Sequence, residues 1–233
     1  MLRVLRLYII PCAVALLLLL AIRCLLVAQF VLTEERADGQ LLRGDRILVL
    51  RTAYGLRFPG ERLFGYRRIG RPDAAAGDLI AFYSPASAAQ PESSRPVAFG
   101  TVAAVPGDTL WLDPVRQLVL PGRTSVDALP FVVPRKGGKA RICPELSPLF
   151  AEILRQTGCR VQRDRQGRLL VGGTPLQEVA FDHDFYWIET VPEHFVLLSE
   201  TAVLGKPVLV SYSLDPDKPF YAALRMGRFF VRF

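Results

Sequence analysis

The feature that most constrains this chain is an uncharged apolar run near its N-terminus. Residues 7–22 contain no Asp, Glu, Lys or Arg and are mainly Leu, Ile and Ala. A helix needs about 20 mainly apolar residues to cross a bilayer, so the span would have to continue past Arg23 to residue 32. A long arginine side chain there can reach the lipid headgroups. The sequence therefore predicts a transmembrane anchor at residues 7–32, preceded by a tail at residues 1–6.

The charges before this run predict its orientation. Arg3 and Arg6 favour a cytoplasmic N-terminus, which would carry the chain from about residue 33 onward across the membrane. The alternative is a cleaved signal peptide, but the run is long for one and no clear small-residue cleavage site follows it. We therefore expect a single-pass protein with an exported domain.

The exported part alternates short apolar segments with Gly, Pro and Asp turn residues. The segments of strand length are residues 46–50, 78–83, 96–105, 109–112, 117–120, 169–171, 195–198 and 207–212. This pattern favours a mostly β protein with an antiparallel, barrel-like sheet over alternating strands and helices. One helix is expected at residues 148–157, where Leu149, Ile153 and Leu154 recur and Gly158 follows as a stop signal.

Charge and composition limit which classes of partner and ligand are expected. The formal net charge of +7 suits a domain held against an anionic lipid surface. Nucleic acid is not an expected partner, because no basic run is interleaved with stacking aromatic residues. No Cys-x-x-Cys or His-x-x-x-His spacing indicates a metal site, and no cofactor is expected. Cys143 and Cys159 lie outside the predicted span and are candidates for a disulfide in an oxidising compartment.

Five short motifs occur in a fixed order. They are Leu-Leu-Arg-Gly-Asp-Arg-Ile-Leu-Val at residues 41–49, Gly-Asp-Leu-Ile-Ala-Phe at 77–82, Val-Ala-Ala-Val-Pro-Gly-Asp-Thr at 102–109, Gly-Lys-Pro-Val at 205–208 and Leu-Arg-Met-Gly-Arg-Phe-Phe at 224–230. Their order and spacing resemble those of type I signal peptidases, especially from Bacteroidetes-like bacteria. The resemblance implies a signal-peptidase-like core at residues 33–107 and 183–233, with a β-rich subdomain inserted at 108–182. It also implies a bacterial inner-membrane protein with a cytoplasmic N-terminus and a periplasmic C-terminal domain.

The residues that carry out catalysis in that family are missing here. The family uses a serine nucleophile and a neutral lysine as its base. Counting back from Gly44 and Asp45 puts Arg36 at the serine position, and counting back from the Pro-Gly-Asp motif puts Gly100 at the lysine position. Glu34 falls where the family has a second serine that stabilises the oxyanion. The resemblance therefore implies that neither the nucleophile nor the base is present.

A displaced catalytic pair is a weaker possibility. Ser199 with Lys206 is the best surviving pair, but an exposed lysine keeps its charge and cannot act as a base. His183 lies between Asp182 and Asp184, and we expect it to be an exposed loop or strand-edge residue rather than a catalytic one.

The expected function is therefore that of a non-catalytic, signal-peptidase-like protein. Extended chains add readily to an open sheet edge, so it would bind exported or membrane-proximal polypeptides, or a paralogous signal peptidase. The alternative is an active signal peptidase, a serine endopeptidase that removes signal peptides with unrecognised catalytic residues. A structural or assembly factor of the envelope is a third hypothesis, because fold kinship alone does not decide function.

Overall fold

A computed structural model of the chain describes most of its residues. These are residues 2–33, 41–58, 65–70, 74–87, 90, 94–113, 118–120, 128–164, 166–192, 194–219 and 221–232. Glu34 and Arg36 lie outside the described residues, whereas Gly100 and Ser199 lie within them.

The described residues form two α-helices and many short strands. The helices are α1 (Leu2–Leu25) and α2 (Ser147–Gln156). The strands are β1 (Val27–Val31), β2 (Asp45–Leu50), β3 (Leu56–Arg57), β4 (Arg68–Ile69), β5 (Leu79–Tyr83), β6 (Val97–Ala104), β7 (Thr109–Asp113), β8 (Leu118–Leu120), β9 (Leu129–Val132), β10 (Lys139–Arg141), β11 (Val161–Arg163), β12 (Leu169–Val171), β13 (Thr174–Pro175), β14 (Glu178–Ala180), β15 (Phe185–Val191), β16 (His194–Ser199), β17 (Val203–Ser213) and β18 (Val231–Arg232). Short 3-10 turns occur at Pro85–Ser87, Pro144–Leu146, Glu200–Ala202 and Met226–Arg228.

Helix α1 covers most of the predicted anchor but ends earlier than expected. It contains Pro11, and every side chain at residues 7–20 is exposed. The prediction that the same segment continues to residue 32 is wrong, because β1 forms at Val27–Val31 and pairs antiparallel with β2. The β-branched and aromatic residues of β1 suit a pleated sheet, and that pairing satisfies their backbone groups.

Across the part of the chain that the structure describes, no helix combines the length and the apolar character that crossing a bilayer requires.

The chain divides into two compact units, Met1–Asp73 with Leu204–Phe233, and Ala74–Val203. In the first unit, β1, β2 and β17 form consecutive antiparallel pairs, and β18 pairs with β17. A separate pair joins β3 to β4. Along β2, Asp45, Ile47 and Val49 are buried while the intervening residues are more exposed. This alternation has the two-residue period of a strand with one face covered.

The second unit contains a four-stranded antiparallel sheet in the order β5-β6-β15-β16. Three smaller sheets have the orders β8-β7-β9, β10-β14 and β11-β12-β13. Helix α2 packs its apolar face into a core that it shares with these strands. The buried core residues are Ala104, Leu112, Phe131, Val133, Phe150, Ala151, Ile153, Leu154, Leu169, Val179, Phe181, Phe185, Trp187 and Leu197.

Most of the expected secondary structure is confirmed. The chain is mostly β with antiparallel sheets, each of the eight predicted strand segments overlaps an observed strand, and α2 lies within one residue of its predicted bounds. The sequence reading did not anticipate β1 or β15. The expected insertion at residues 108–182 stays a prediction.

Candidate functional site

The position expected for the catalytic lysine is closed by its neighbours. Gly100 is buried in β6, where it pairs with Ile80 of β5. A Cβ added there would overlap the Cγ2 atom of Ile188 and lie 2.9 Å from the backbone oxygen of Glu189, with Phe82 Cε1 at 3.3 Å. Real Cβ atoms essentially never approach other atoms so closely. Ile188 and Phe82 therefore fill the space that a side chain at this position would need.

Ser199, the fallback nucleophile, has a structural role in this fold. It is 1% exposed at the end of β16. Its Oγ accepts hydrogen bonds from the backbone N–H of Thr201 at 3.4 Å and from Thr201 Oγ1 at 3.1 Å. These contacts cap the 3-10 turn Glu200–Ala202. A buried hydroxyl that caps a turn is poorly placed to meet a substrate carbonyl.

Lys206, the suggested partner of Ser199, is exposed on β17 of the first unit, where it is opposite Leu50 of β2. The expectation that this lysine is exposed is confirmed.

His183 lies in the loop before β15, as expected, but it is partly rather than fully exposed. Its side chain is 31% exposed, and its Nδ1 lies 3.2 Å from Oε1 of Glu200, whose side chain is 11% exposed. Burial alone would raise the pKa of Glu200, but the His183 hydrogen bond and charge, the Lys136 charge and a backbone hydrogen bond from Asp184 outweigh it, so the pKa is lowered. Sequence reasoning missed this pair because no local pattern links residues 17 positions apart.

The hydrogen bonds around the His183–Glu200 pair indicate a structural role for it. The backbone N–H of Glu200 donates to the oxygen of Asp184 at 2.8 Å, and Oδ1 of Asp184 accepts from the backbone N–H of Lys136 at 2.7 Å. The two carboxylates thus join the turns before β10, before β15 and after β16. Among the residues that the structure describes, no group of His, Cys, Asp and Glu is arranged to hold a metal ion.

A polar side chain covers one sheet edge in the second unit. Nε2 of Gln156 donates to the oxygen of Leu197 at 2.7 Å, and its Oε1 accepts from the N–H of Ser199 at 2.9 Å. A single amide thereby satisfies two backbone groups of β16 that a neighbouring strand would otherwise bond. This use of Gln156 has no signal in the sequence beyond its place at the end of the predicted helix.

Strand β1 in the first unit has an open side. Its neighbouring residues bond to β2 and its flank, with Leu32 N–H donating to Asp45 O at 2.9 Å and Arg51 N–H donating to Leu26 O at 2.8 Å. Hydrogen-bonded positions alternate along an antiparallel strand, so the backbone groups of Val27, Gln29 and Val31 point away from β2. Among the strands that the structure describes, β1 has β2 as its single neighbour.

Cys143 and Cys159, the candidates for a disulfide, are both exposed. Cys143 precedes the turn before α2, Cys159 follows the helix, and both are free thiols in the structure. Their pairing, suggested by the sequence, stays a prediction.

Neither a family model nor a curated protein matches this chain.

Proposed function

We propose that this chain is a membrane-anchored, signal-peptidase-like protein that binds extended polypeptides without cleaving them. Its ligands would be exported or membrane-proximal chains, or a paralogous signal peptidase. The main support for the lack of catalysis is the packing at Gly100, where even a methyl group would overlap Ile188. The motifs at residues 41–49 and 102–109 support the kinship.

The absence of a general base is strong support for a chain that does not cleave peptides. A neutral lysine requires a dry pocket with room for four methylene groups and an amine, since burial is what lowers the pKa of the ammonium. Ile188 and Phe82 occupy the volume that opens from Gly100. The capping role of Ser199 supports the same conclusion, because its hydroxyl already serves Thr201. An active peptidase with unrecognised residues is therefore the less favoured alternative.

The open side of β1 supports binding by strand addition. Main-chain hydrogen bonds to Val27, Gln29 and Val31 would provide affinity with little dependence on the ligand's sequence. The edge of β16 is less suited, since Gln156 already bonds its Leu197 and Ser199 backbone groups. The strand that follows α1 directly is thus the better candidate for an extended ligand.

We also propose that α1 anchors the chain in the bacterial inner membrane, although no described helix has by itself the length and apolar character of a full crossing, and that the chain after α1 lies on the periplasmic side. The uncharged run at residues 7–22 and the exposure of side chains 7–20 support this topology. A reporter fused after Phe233 should be active only outside the cytoplasm. Activity in the cytoplasm would reverse the orientation inferred from Arg3 and Arg6.

The direct test uses the full chain in detergent with a fluorescent signal peptide and a preprotein. Binding is measured by anisotropy and cleavage by mass spectrometry. Gln29→Pro removes an outward N–H of β1 at a position where an edge strand tolerates proline, so it should weaken binding about tenfold. Gln29→Ala keeps that N–H and is the matched control, with unchanged affinity.

Three results would contradict the proposal. Equal affinities of Gln29→Pro and wild type would exclude β1 as the binding edge. Robust cleavage by the wild type that Ser199→Ala abolishes would show that a relocated nucleophile is active. A chain that neither binds nor cleaves either ligand would favour a structural role in the envelope.

A further inference from the structure

Exposed apolar side chains outside α1 are concentrated in the first unit. Those described there are Leu26, Val31, Leu50, Phe58, Ile69, Val208, Tyr221, Leu224, Met226, Phe229 and Phe230, against Val132 and Val191 in the second unit. Scattered exposed leucines and valines are normal, but several large side chains on one short segment indicate an interaction surface.

The most exposed group lies near the C-terminus, and we name it the C-terminal ridge: Tyr221, Met226, Phe229 and Phe230. Tyr221 is 89% exposed, Met226 77% and Phe230 70%, while Phe229 is 41% exposed. The rings of Phe229 and Phe230 are neighbours, with centroids 6.5 Å apart. The ridge therefore presents aromatic and thioether groups together on one segment.

The backbone beneath the ridge is fixed rather than loose. Arg228 binds the fully buried carboxylate of Asp45 through two contacts of 2.6 and 3.1 Å. Nη1 of Arg225 donates to the oxygen of Arg43 at 2.9 Å and to Oγ of Ser213 at 3.0 Å. Because two arginines hold this segment, its apolar side chains stay exposed to water. That exposure is unfavourable unless another surface covers them.

The conformation of Phe230 adds a second observation. Its φ is 53°, in the left-handed region, and among the described residues it is the one non-glycine with a positive φ. Bulky side chains avoid this region, and such strain persists where the surroundings impose it. Here Arg228 on one side and the pairing of β18 with β17 on the other fix the backbone, which turns Phe230 toward solvent.

The charge near the C-terminus indicates which kind of partner fits the C-terminal ridge. No Asp or Glu follows Asp217, whereas Lys218, Arg225, Arg228 and Arg232 do. Lys218 and Arg225 are paired with Asp215, and Arg228 is paired with Asp45. Arg232 is exposed on β18, two residues after Phe230. Aromatic rings with flanking cations suit the boundary between lipid headgroups and acyl chains.

We propose that the C-terminal ridge inserts into the interfacial layer of an anionic lipid bilayer. The ridge belongs to the same compact unit as α1, and β1, β2, β17 and β18 connect the two through paired strands. This proposal extends the membrane attachment through α1 in the proposed function and is independent of peptide binding at β1. The ridge acts as a second contact that holds the first unit against the surface.

A second copy of the chain fits the ridge less well. A two-fold interface places the same patch on both subunits, so each copy would bring an exposed Arg232 to it and no acidic residue from positions 218–233. Lipid phosphates instead complement that charge. The aromatic side chains bury their rings in the headgroup region in the lipid case.

The test is a depth measurement on the full chain reconstituted into vesicles of phosphatidylcholine with phosphatidylglycerol. Phe230→Trp introduces a reporter in the ridge, and Val132→Trp is the matched control at an exposed apolar position of the second unit. The added tryptophan's signal is the fluorescence of each variant minus that of the wild type. Its quenching is measured with lipids that carry a nitroxide at defined depths. Quenching at position 230 should be strongest for nitroxides about 5–10 Å into the headgroup and acyl boundary, with position 132 unquenched.

Each outcome decides the matter. Quenching at position 230 that falls when phosphatidylglycerol is replaced by phosphatidylcholine supports insertion assisted by charge. No quenching at 230, or equal quenching at 230 and 132, overturns the proposal. An emission shift at 230 that disappears on protein dilution, without lipid quenching, assigns the ridge to self-association instead. Adding Gln29→Pro to Phe230→Trp should leave the quenching at position 230 unchanged. Loss of peptide binding and loss of insertion are therefore separable.

Discussion

The two compact units of this chain are stabilised in different ways. The second unit has a continuous apolar core in which Phe131, Phe150 and Trp187 are in ring contact. Most buried hydrophobic side chains described lie there. In the first unit, arginines make many of the contacts: Arg228 with Asp45, Arg68 with the oxygen of Tyr54.

Cation–π contacts extend the difference. Arg46 lies over Tyr212 at 5.1 Å, and both Arg57 and Arg68 lie near the ring of Tyr66 at 5.7 and 5.8 Å. These planar cations let the first unit hold its segments together while its apolar side chains stay exposed. The difference indicates that the first unit is built to present apolar surface and the second to bury it.

The largest expected effect is the loss of the buried ion pair in the first unit. Arg228→Ala leaves the fully buried Asp45 carboxylate without its guanidinium, and we expect the free energy of unfolding to fall by about 3–5 kcal/mol. Arg232→Ala, on the same segment but exposed, should change it by less than about 0.5 kcal/mol. Guanidinium titration of the full chain in detergent measures both. A loss of under about 1 kcal/mol in Arg228→Ala would show that the first unit does not depend on this pair.

Two glycines, Gly100 in the second unit and Gly227 in the first, extend the comparison. Gly100→Ala places a methyl group against Ile188 and the Glu189 oxygen, and it should destabilise the chain by about 2 kcal/mol or more. Gly227→Ala, in the C-terminal segment of the first unit, has no described atom within 4 Å of the added carbon and should be nearly neutral. Denaturant midpoints compare them, and a neutral Gly100→Ala would show that the pocket can open.

The same position sets the outcome of restoring the family's catalytic pair. Arg36→Ser combined with Gly100→Lys should give no cleavage of a signal peptide above background, because the lysine side chain has no free volume beside Ile188 and Phe82. Turnover by this double variant, detected by mass spectrometry, would mean that the sheet rearranges to recreate a dry lysine pocket.

A smaller effect on the free energy of unfolding should come from the contact between His183 and Glu200. The lowered pKa of Glu200 means that its ionised form is favoured by folding. Its contribution is therefore complete above the ordinary value of 4.5 and is lost as the pH falls through the lower folded-state value. Glu200→Gln should cost about 1–2 kcal/mol at pH 7 and much less under acidic conditions.

The control for that prediction is an exposed carboxylate of the same unit. Glu178→Gln, on β14, should change the unfolding free energy little at either pH. Unfolding curves at neutral and acidic pH provide the comparison. A loss in Glu200→Gln that does not vary with pH would assign the effect to packing rather than to charge.

Short-range patterns predicted much of the fold. Apolar segments between turns indicated eight strands, and Leu149, Ile153 and Leu154 indicated α2. β1 was missed because its mainly apolar residues follow directly on the apolar run of the helix, and periodicity does not separate a strand from a helix in so short a run.

The site was less predictable because its contacts join distant residues. The gap at Gly100 was visible in the sequence, but Ile188 and Glu189, which close it, come from β15. The Glu200 partner of His183 and the use of Gln156 on β16 also depend on how strands pair. Sequence alone identifies a missing group, whereas the fold decides what fills its place.

The smallest expected effect concerns the cysteines of the second unit. Both thiols are exposed and free, and α2 lies between them along the chain with a length of about 15 Å. A disulfide needs Cα atoms within about 7 Å, and one closing such a loop would add about 3 kcal/mol. Cys143→Ser with Cys159→Ser should therefore change the unfolding free energy by less than about 0.5 kcal/mol.

Mass mapping without reductant supplies the second readout of this prediction. Two alkylated thiols in the wild type, together with an unchanged midpoint in the double serine variant, would mean that the second unit depends on its apolar core rather than on a covalent link. A linked peptide containing Cys143 and Cys159, and a loss of about 3 kcal/mol in the variant, would show the opposite. In that case the turns on either side of α2 must bring the two Cα atoms within about 7 Å, and the contrast between the two units would rest partly on oxidation.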